Sequence, residues 1–220
     1  FGLLDQKPMR NFTGRIVGYD PGGNEKHGFA VLHVEGGIPN SLETHTLRDA
    51  EDVICEVTTV PDLIGLGIDT MTCWSSGQSG WRPADKWLRN AYDDVKSSVV
   101  SPNGMYGSMG INGMTVLIEA RTLHDDLMVT ETHPKVLYRA VFGKRYDYDN
   151  QPARMNETLG MELGVTVESS NDHEWDAAVS TLAALRGLQG DWNRDLHRQD
   201  VGEQARLIEP CGPTHYFWPS

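Results

Sequence analysis

Two apolar runs, each ending in an aspartate, set the architecture of this chain. Residues 15–20 read RIVGYD, and residues 62–69 read DLIGLGID. A continuous apolar run of this length is typical of a strand that is covered on both faces of a sheet. Ligands of open α/β sheets bind beyond the carboxyl ends of the strands, so Asp20 and Asp69 are predicted to lie at a functional edge.

The remaining segments predict an α/β domain with a mixed sheet and helices on both faces. Further strands are expected at residues 28–35, 43–47, 127–131 and 165–167. Helices are expected at residues 48–59, 84–98, 115–123, 134–142, 150–164 and 169–187, and residues 101–114 are interpreted as a Gly- and Met-rich loop. The first three strands follow one another closely and predict an antiparallel meander. The 220 residues fit one domain, with a core at 15–190 and a C-terminal extension at 191–220 that packs on it.

Composition argues against several classes of protein. The 19 basic and 31 acidic residues give a net charge of −12, which argues against a protein that binds polyanions through net charge alone. The chain contains neither an apolar run of about 20 residues nor a secretory leader pattern, so we expect a soluble, cytoplasmic protein without a membrane partner. The cysteines Cys55, Cys73 and Cys211 have no C-x-x-C spacing, which fits a reducing compartment and argues against disulfides or structural zinc.

Further acids accompany the two strand ends. Glu131 ends the predicted strand 127–131, and Asp172, His173 and Asp176 lie in the first turns of the predicted helix 169–187. Carboxylates that converge repel one another unless a cation lies between them. An oxygen-rich pocket with one imidazole suits Mg²⁺ or Mn²⁺, and two such ions can hydrolyse a phosphodiester. The predicted metal ligands are Asp20, Asp69, Glu131, Asp172 and Asp176.

Each acid also has an ordinary structural interpretation. Asp20 precedes turn-forming residues and could simply begin a turn. Glu131 could pair with Lys135 or Arg139, and Asp172 could favour a helix N-terminus. Asp176 is the hardest to explain in this way, because small apolar residues follow it and an unpaired charge there would be costly.

A local group of basic residues provides candidate contacts to a substrate. Arg82, Lys86 and Arg89 lie next to Trp81 and Trp87, where they could contact phosphates while the rings stack on bases. The alternative is a solvated helix face over buried tryptophans.

The order of these motifs resembles the DUF429 family of predicted ribonuclease H-like nucleases. The resemblance rests on VGYDPGG, GFAVL, GLGID, the E-x-H-P of residues 131–134 and HEWDAA, and it covers most of residues 15–190. The HEWDA segment is also similar to the last helix of RuvC-type Holliday junction resolvases. The resemblance implies a ribonuclease H-like fold with a five-stranded mixed sheet, whose first three strands are antiparallel, and divalent-metal phosphodiester chemistry.

The resemblance also implies catalytic roles. Asp20 would be the first-strand ligand, Asp69 the mid-sheet acid and Asp176 the helix acid, with His173 near the attacking water or a metal. The chain departs from the family pattern after GID, where TMTCWSSG replaces a Pro-rich turn of small residues.

The sequence therefore predicts a nuclease that depends on Mg²⁺ or Mn²⁺ and binds DNA or RNA weakly and through metal. Two alternatives stay open: a non-catalytic scaffold of the same fold that binds nucleic acid or protein, and a metal-dependent hydrolase of small phosphorylated metabolites. The aromatic residues Tyr216, Phe217 and Trp218 could form a homodimer interface or pack on their own domain.

Overall fold

The computed structural model describes residues 11–77, 79–101, 104, 107–198 and 207–220. Within these residues the strands are β1 (Gly14–Asp20), β2 (His27–Glu35), β3 (Ile38–Leu47), β4 (Leu63–Ile68), β5 (Trp74–Ser75), β6 (Met128–Glu131), β7 (Arg194–Asp195), β8 (Leu207–Ile208) and β9 (Phe217–Trp218). The α-helices are α1 (Ala50–Thr59), α2 (Pro83–Ala91), α3 (Gly107–Leu123), α4 (Pro134–Phe142), α5 (Pro152–Leu163) and α6 (Asp172–Gln189).

The central sheet has five strands in the order β3-β2-β1-β4-β6. The pairs β1–β2 and β2–β3 are antiparallel, whereas β1–β4 and β4–β6 are parallel. One core cluster joins the sheet to α1 and α3, and the other joins it to α4, α5 and α6. This arrangement confirms the predicted α/β fold, a five-stranded mixed sheet with three antiparallel strands first and helices on both faces.

Helix α6 is the central packing element of one face. Asn171 caps it by accepting a hydrogen bond from the Glu174 amide at 3.0 Å, as the N-x-x-E spacing predicts. Every residue from Glu174 to Leu185 is buried, because the helix lies across β1, β2 and β4 and is covered by α4 and α5 on its other side. Its amino end therefore lies at the carboxyl ends of the parallel strands.

The C-terminal segment packs on the edge of the sheet. His215 exchanges backbone hydrogen bonds with Val129 and Glu131 of β6, and β9 pairs with β7. Tyr216 and Trp218 are fully buried, and the Trp218 indole nitrogen donates to the Tyr92 hydroxyl at 3.0 Å. These two aromatic side chains are therefore covered by the chain's own domain.

Four predicted segments differ from the structure, and one of them is the strand expected at 43–47, which extends from Ile38 to Leu47 as β3. Helix α3 begins at Gly107, inside the predicted loop 101–114. Gly113 packs closely against Thr70, and this tertiary contact outweighs the low helix propensity of glycine. Residues 102, 103, 105 and 106 of the predicted loop lie outside the described residues. The predicted helix 84–98 ends at Ala91 and continues as a 3-10 turn. Residues 165–167 pair with no strand in the described part of the chain, although Val167 enters the core. No described helix is long and apolar enough to cross a membrane.

Candidate active site

Three aspartates meet at the carboxyl end of the sheet. Asp20 is the last residue of β1, and Asp69 directly follows β4. The parallel register places Tyr19 opposite Ile68, and the Asp69 amide donates to the Tyr19 carbonyl at 2.9 Å. Asp176 approaches from the second turn of α6. One carboxylate oxygen from each aspartate lies within 4.8 Å of the other two, so the three form a group that could hold a cation.

Glycines on neighbouring strands allow α6 to reach this position. Gly18 of β1 and Gly67 of β4 are paired in the sheet. A Cβ at Gly18 would lie 1.9 Å from the Ala177 carbonyl oxygen, and one at Gly67 would lie 2.0 Å from the Ser180 carbonyl oxygen. The helix backbone therefore rests directly on the sheet, which brings Asp176 within reach of the two strand aspartates.

The three carboxylates are poorly compensated. Asp20 and Asp176 are only 4% and 5% exposed, and Asp176 Oδ1 is buried without a hydrogen-bond partner among the described residues. Burial raises the pKa of all three aspartates, and repulsion between them raises the pKa of Asp69 and Asp176 further. A cation between them would offset both costs.

His173 is the hydrogen-bond partner of one of these aspartates. Its Nδ1 lies 2.7 Å from Asp20 Oδ2, and this hydrogen bond raises the pKa of His173. The ring is partly exposed on the cleft side, and Asp172 Oδ1 lies 3.9 Å from its Nε2. The structure thus brings together the four predicted catalytic residues, Asp20, Asp69, His173 and Asp176, with Asp172 at their margin.

Glu131 does not join this group. Its two oxygens lie 2.5 and 2.7 Å from the Arg82 guanidinium nitrogens, and the Thr72 amide donates to it at 2.9 Å. Burial alone would raise the pKa of Glu131, but the charge of Arg82 and the hydrogen bond from His197 hold it well below its usual range. The predicted metal ligand Glu131 is therefore placed in a buried ion pair, where its oxygens are already engaged.

The predicted substrate-contacting residues also require correction. Arg82 is 1% exposed and bridges Glu131 and Asp85, so it is not accessible to a phosphate from solvent. Arg89 donates to the carbonyls of Lys96 and Val99, and its guanidinium lies over the Trp81 ring, 5.1 Å from the ring centre. Of the three predicted contacts, Lys86 alone is exposed.

A second group of metal-ligand type, made by Cys73, Glu131 and His197, surrounds the Arg82 guanidinium. Arg82 Nη1 lies 3.6 Å from Cys73 Sγ, and this positive charge disfavours a metal cation at the same place. Burial would lower the pKa of His197, but hydrogen bonds to Cys73 and Glu131 raise it to about 10. The members of this group come from distant segments of the chain, so their grouping has no local sequence signal. Arg82 and Asp85, which are three residues apart, do have one.

The aspartates open into a cleft with a volume of about 580 Å³. One wall carries Met71, Val99 and Met109 and is apolar. Lys135 also lines the cleft, and its Nζ lies 5.1 Å from the centre of the Tyr146 ring. Its positive charge opposes the rise in pKa at all three aspartates. From the sequence, Lys135 is expected only as a partner of Glu131, because Arg82 is 49 positions from Glu131 and tertiary packing alone brings those two together.

The strand order and pairing are those of a ribonuclease H-like fold. Among solved structures, the chain is similar to Thermus thermophilus RuvC, with a TM-score of 0.43 and 13% identity over 80% of this chain and 96% of that one. It is also similar to T. thermophilus RuvC in complex with a Holliday junction substrate, with a TM-score of 0.42 and 12% identity over 88% of this chain and 99% of that one. No family profile and no curated protein sequence matches the chain, so membership of the DUF429 family stays a prediction.

Proposed function

We propose that this protein is a divalent-metal-dependent nuclease that hydrolyses phosphodiester bonds in DNA or RNA at the cleft beside Asp20, Asp69 and Asp176. The observation that carries the proposal is the buried Asp176 Oδ1, which has no hydrogen-bond partner among the described residues and lies in a group of three mutually repelling carboxylates. An unpaired buried charge is costly unless a cation compensates it.

The donor set fits a hard divalent cation. Carboxylate oxygens are the ligands that Mg²⁺ and Mn²⁺ prefer, and all three members of this group are aspartates. Asp20, Asp69 and Asp176 would hold one or two ions, with Asp172 available at the margin. Two ions, when bound, supply an activated water and stabilise the leaving oxygen of a phosphodiester.

The chain's own residues contribute proton handling and substrate binding. His173 is oriented through Nδ1 by Asp20, which leaves Nε2 to exchange a proton with water at the cleft. Lys135 places a positive charge in the cleft that attracts a phosphate. The apolar wall of Met71, Val99 and Met109 offers a surface for the sugar and base of the bound nucleotide.

The test is hydrolysis of end-labelled substrates with Mg²⁺ or Mn²⁺: single-stranded DNA, duplex DNA, a four-way junction and single-stranded RNA. Wild-type protein is expected to cleave at least one of these polymers, and Asp20→Asn with Asp176→Asn is expected to abolish cleavage while circular dichroism stays unchanged. Asp62→Asn is the matched control, because it removes an exposed aspartate near the amino end of β4 and should retain full activity.

Two results would contradict the proposal. Equal cleavage by wild type and the double variant would remove the aspartates from the chemistry. Hydrolysis of nucleotides or sugar phosphates, with all four polymers untouched, would instead identify a hydrolase of small metabolites.

A further inference from the structure

A second surface cavity, with a volume of about 320 Å³, gathers three cationic side chains. Lys144, Arg145 and Arg154 line it, and Tyr138 also contributes to its wall. We call this the basic pocket; its other lining residues are Asp147, Gln151 and Met155. The three side chains are exposed, and their combined positive charge attracts an anion to this cavity.

The three cations outnumber the one acid that lines the basic pocket, Asp147. None of the three cations forms an ion pair with a described carboxylate, although the chain has 31 acids for 19 basic residues. Asp147 is the acid in the pocket, and its oxygens accept hydrogen bonds from the side chains of Asn150 at 2.6 Å and Gln151 at 2.7 Å. Asp147 therefore offsets one of the three positive charges, and the basic pocket keeps a net positive charge for a ligand.

The pocket also has local features that suit an oxyanion. The first turn of α5 contributes Arg154, and the amides of a first helical turn have no partner within the helix and carry the positive end of the helix dipole. Arg154 is held by the Gln151 side chain at 3.1 Å, and Arg145 donates to the Asp94 carbonyl. Each guanidinium keeps further donors free for a bidentate contact with a phosphate.

Packed aromatic side chains connect the segment of the basic pocket with the proposed active site. Tyr146, flanked in the chain by Arg145 and Asp147, packs against Trp175 with the ring centres 5.5 Å apart. Trp175 directly precedes Asp176, and the ammonium group of Lys135, which lines the cleft, lies over the Tyr146 ring. The Tyr146–Trp175 contact therefore joins the segment that carries Arg145 to the helix that carries Asp176.

We propose that the basic pocket binds a backbone phosphate of the nucleic-acid strand that is cleaved in the cleft. The inference rests on the proposed nuclease function. Lys144, Arg145 and Arg154 thereby take the place of the predicted substrate contacts Arg82 and Arg89. Both of those arginines are engaged within the protein. The ligand class is a phosphodiester anion held without regard to base sequence.

The test is fluorescence anisotropy with a labelled single-stranded oligonucleotide in Ca²⁺, measured over a range of salt concentrations. The combined variant Lys144→Gln, Arg145→Gln and Arg154→Gln is expected to bind at least about tenfold more weakly at low salt. The slope of log affinity against log salt should also decrease by about 0.7 for each phosphate that the variant no longer neutralises. Arg15→Gln, at the far end of β1, removes one positive charge and should leave both quantities unchanged.

A second measurement separates this inference from the proposed function. Hydrolysis of bis(p-nitrophenyl) phosphate needs only the cleft, so the combined variant should keep it within about twofold of wild type, whereas Asp176→Asn should lose it. If wild type hydrolyses neither this ester nor any of the four polymers but the combined variant still loses oligonucleotide affinity, the nuclease proposal fails and phosphate binding at the pocket stands. Unchanged oligonucleotide affinity, in the combined variant and in Lys144→Gln alone, would overturn the inference. Inorganic phosphate that competes as strongly as the oligonucleotide would assign the pocket to a free anion and overturn it too.

Discussion

Asp20, Asp69 and Asp176 illustrate how far single residues could be predicted. The two strand aspartates follow from apolar runs that end in acid, and Asp176 follows from the small apolar residues after it. Glu131 has the same local pattern but a different role, because its partner Arg82 is 49 positions away and only the fold brings them together. Local sequence predicts that an acid ends a strand, whereas its partner depends on tertiary structure.

Neutralising Glu131 is expected to lower the free energy of unfolding, whereas neutralising Asp176 is not. Without metal, Glu131→Gln should lower the free energy of unfolding by about 3 kcal/mol, because it leaves the buried Arg82 undercompensated. Asp176→Asn should leave that free energy unchanged or raise it, because it removes a repelling carboxylate. Urea unfolding in EDTA measures both, and a change of the same sign and size in the two variants would contradict these assignments.

His197 gives a pH dependence of stability. Its pKa is raised in the folded protein from 6.5 to about 10, so its stabilising contribution is complete below pH 6.5 and is lost as the pH rises toward 10. Between pH 7 and 9 this group should therefore lower the free energy of unfolding as the pH rises, by on the order of 1 kcal/mol per pH unit. The measurement compares urea unfolding of wild type and His197→Gln across this range. Parallel pH profiles of the two proteins would show that His197 does not carry the effect.

At the scale of elements, the contact of α6 with the sheet decides whether a site exists. The glycines in IVGYD and GLGID were predicted to lie in strands, and they do. The sequence did not indicate that both face the same helix backbone, because strand pairing and helix position are properties of the fold. Tertiary packing also explains why α3 begins within residues 101–114, whose glycines indicate a loop.

Gly18→Ala should damage the fold and the site together. Its Cβ would overlap the Ala177 carbonyl, so α6 must move away from β1, at a cost of about 3 kcal/mol or more, and carry Asp176 with it. The thermal unfolding temperature should fall, and the affinity for Mn²⁺ should decrease. Gly23→Ala is the matched control, since nothing lies within 4 Å of a Cβ there. Equal stability of the two variants would contradict the close packing of α6.

At the scale of the whole molecule, a net charge of −12 restricts how a polyanion can bind. The aspartate group faces the cleft, so an approaching phosphate is repelled until cations bind there. Oligonucleotide binding should therefore be lost in EDTA and restored by Ca²⁺, as measured by anisotropy. Binding of equal strength with and without divalent cations would show that the aspartates do not face the bound strand.

Isothermal titration of Mn²⁺ into wild-type protein and into Asp176→Asn tests the central claim most directly. Wild type is expected to bind one or two ions at submillimolar concentration, because three carboxylates with little compensation lie within 4.8 Å of one another. Asp176→Asn is expected to lose at least about tenfold in affinity while it stays folded. Absence of binding to wild type at millimolar Mn²⁺, or equal binding by both proteins, would contradict a metal site at Asp20, Asp69 and Asp176.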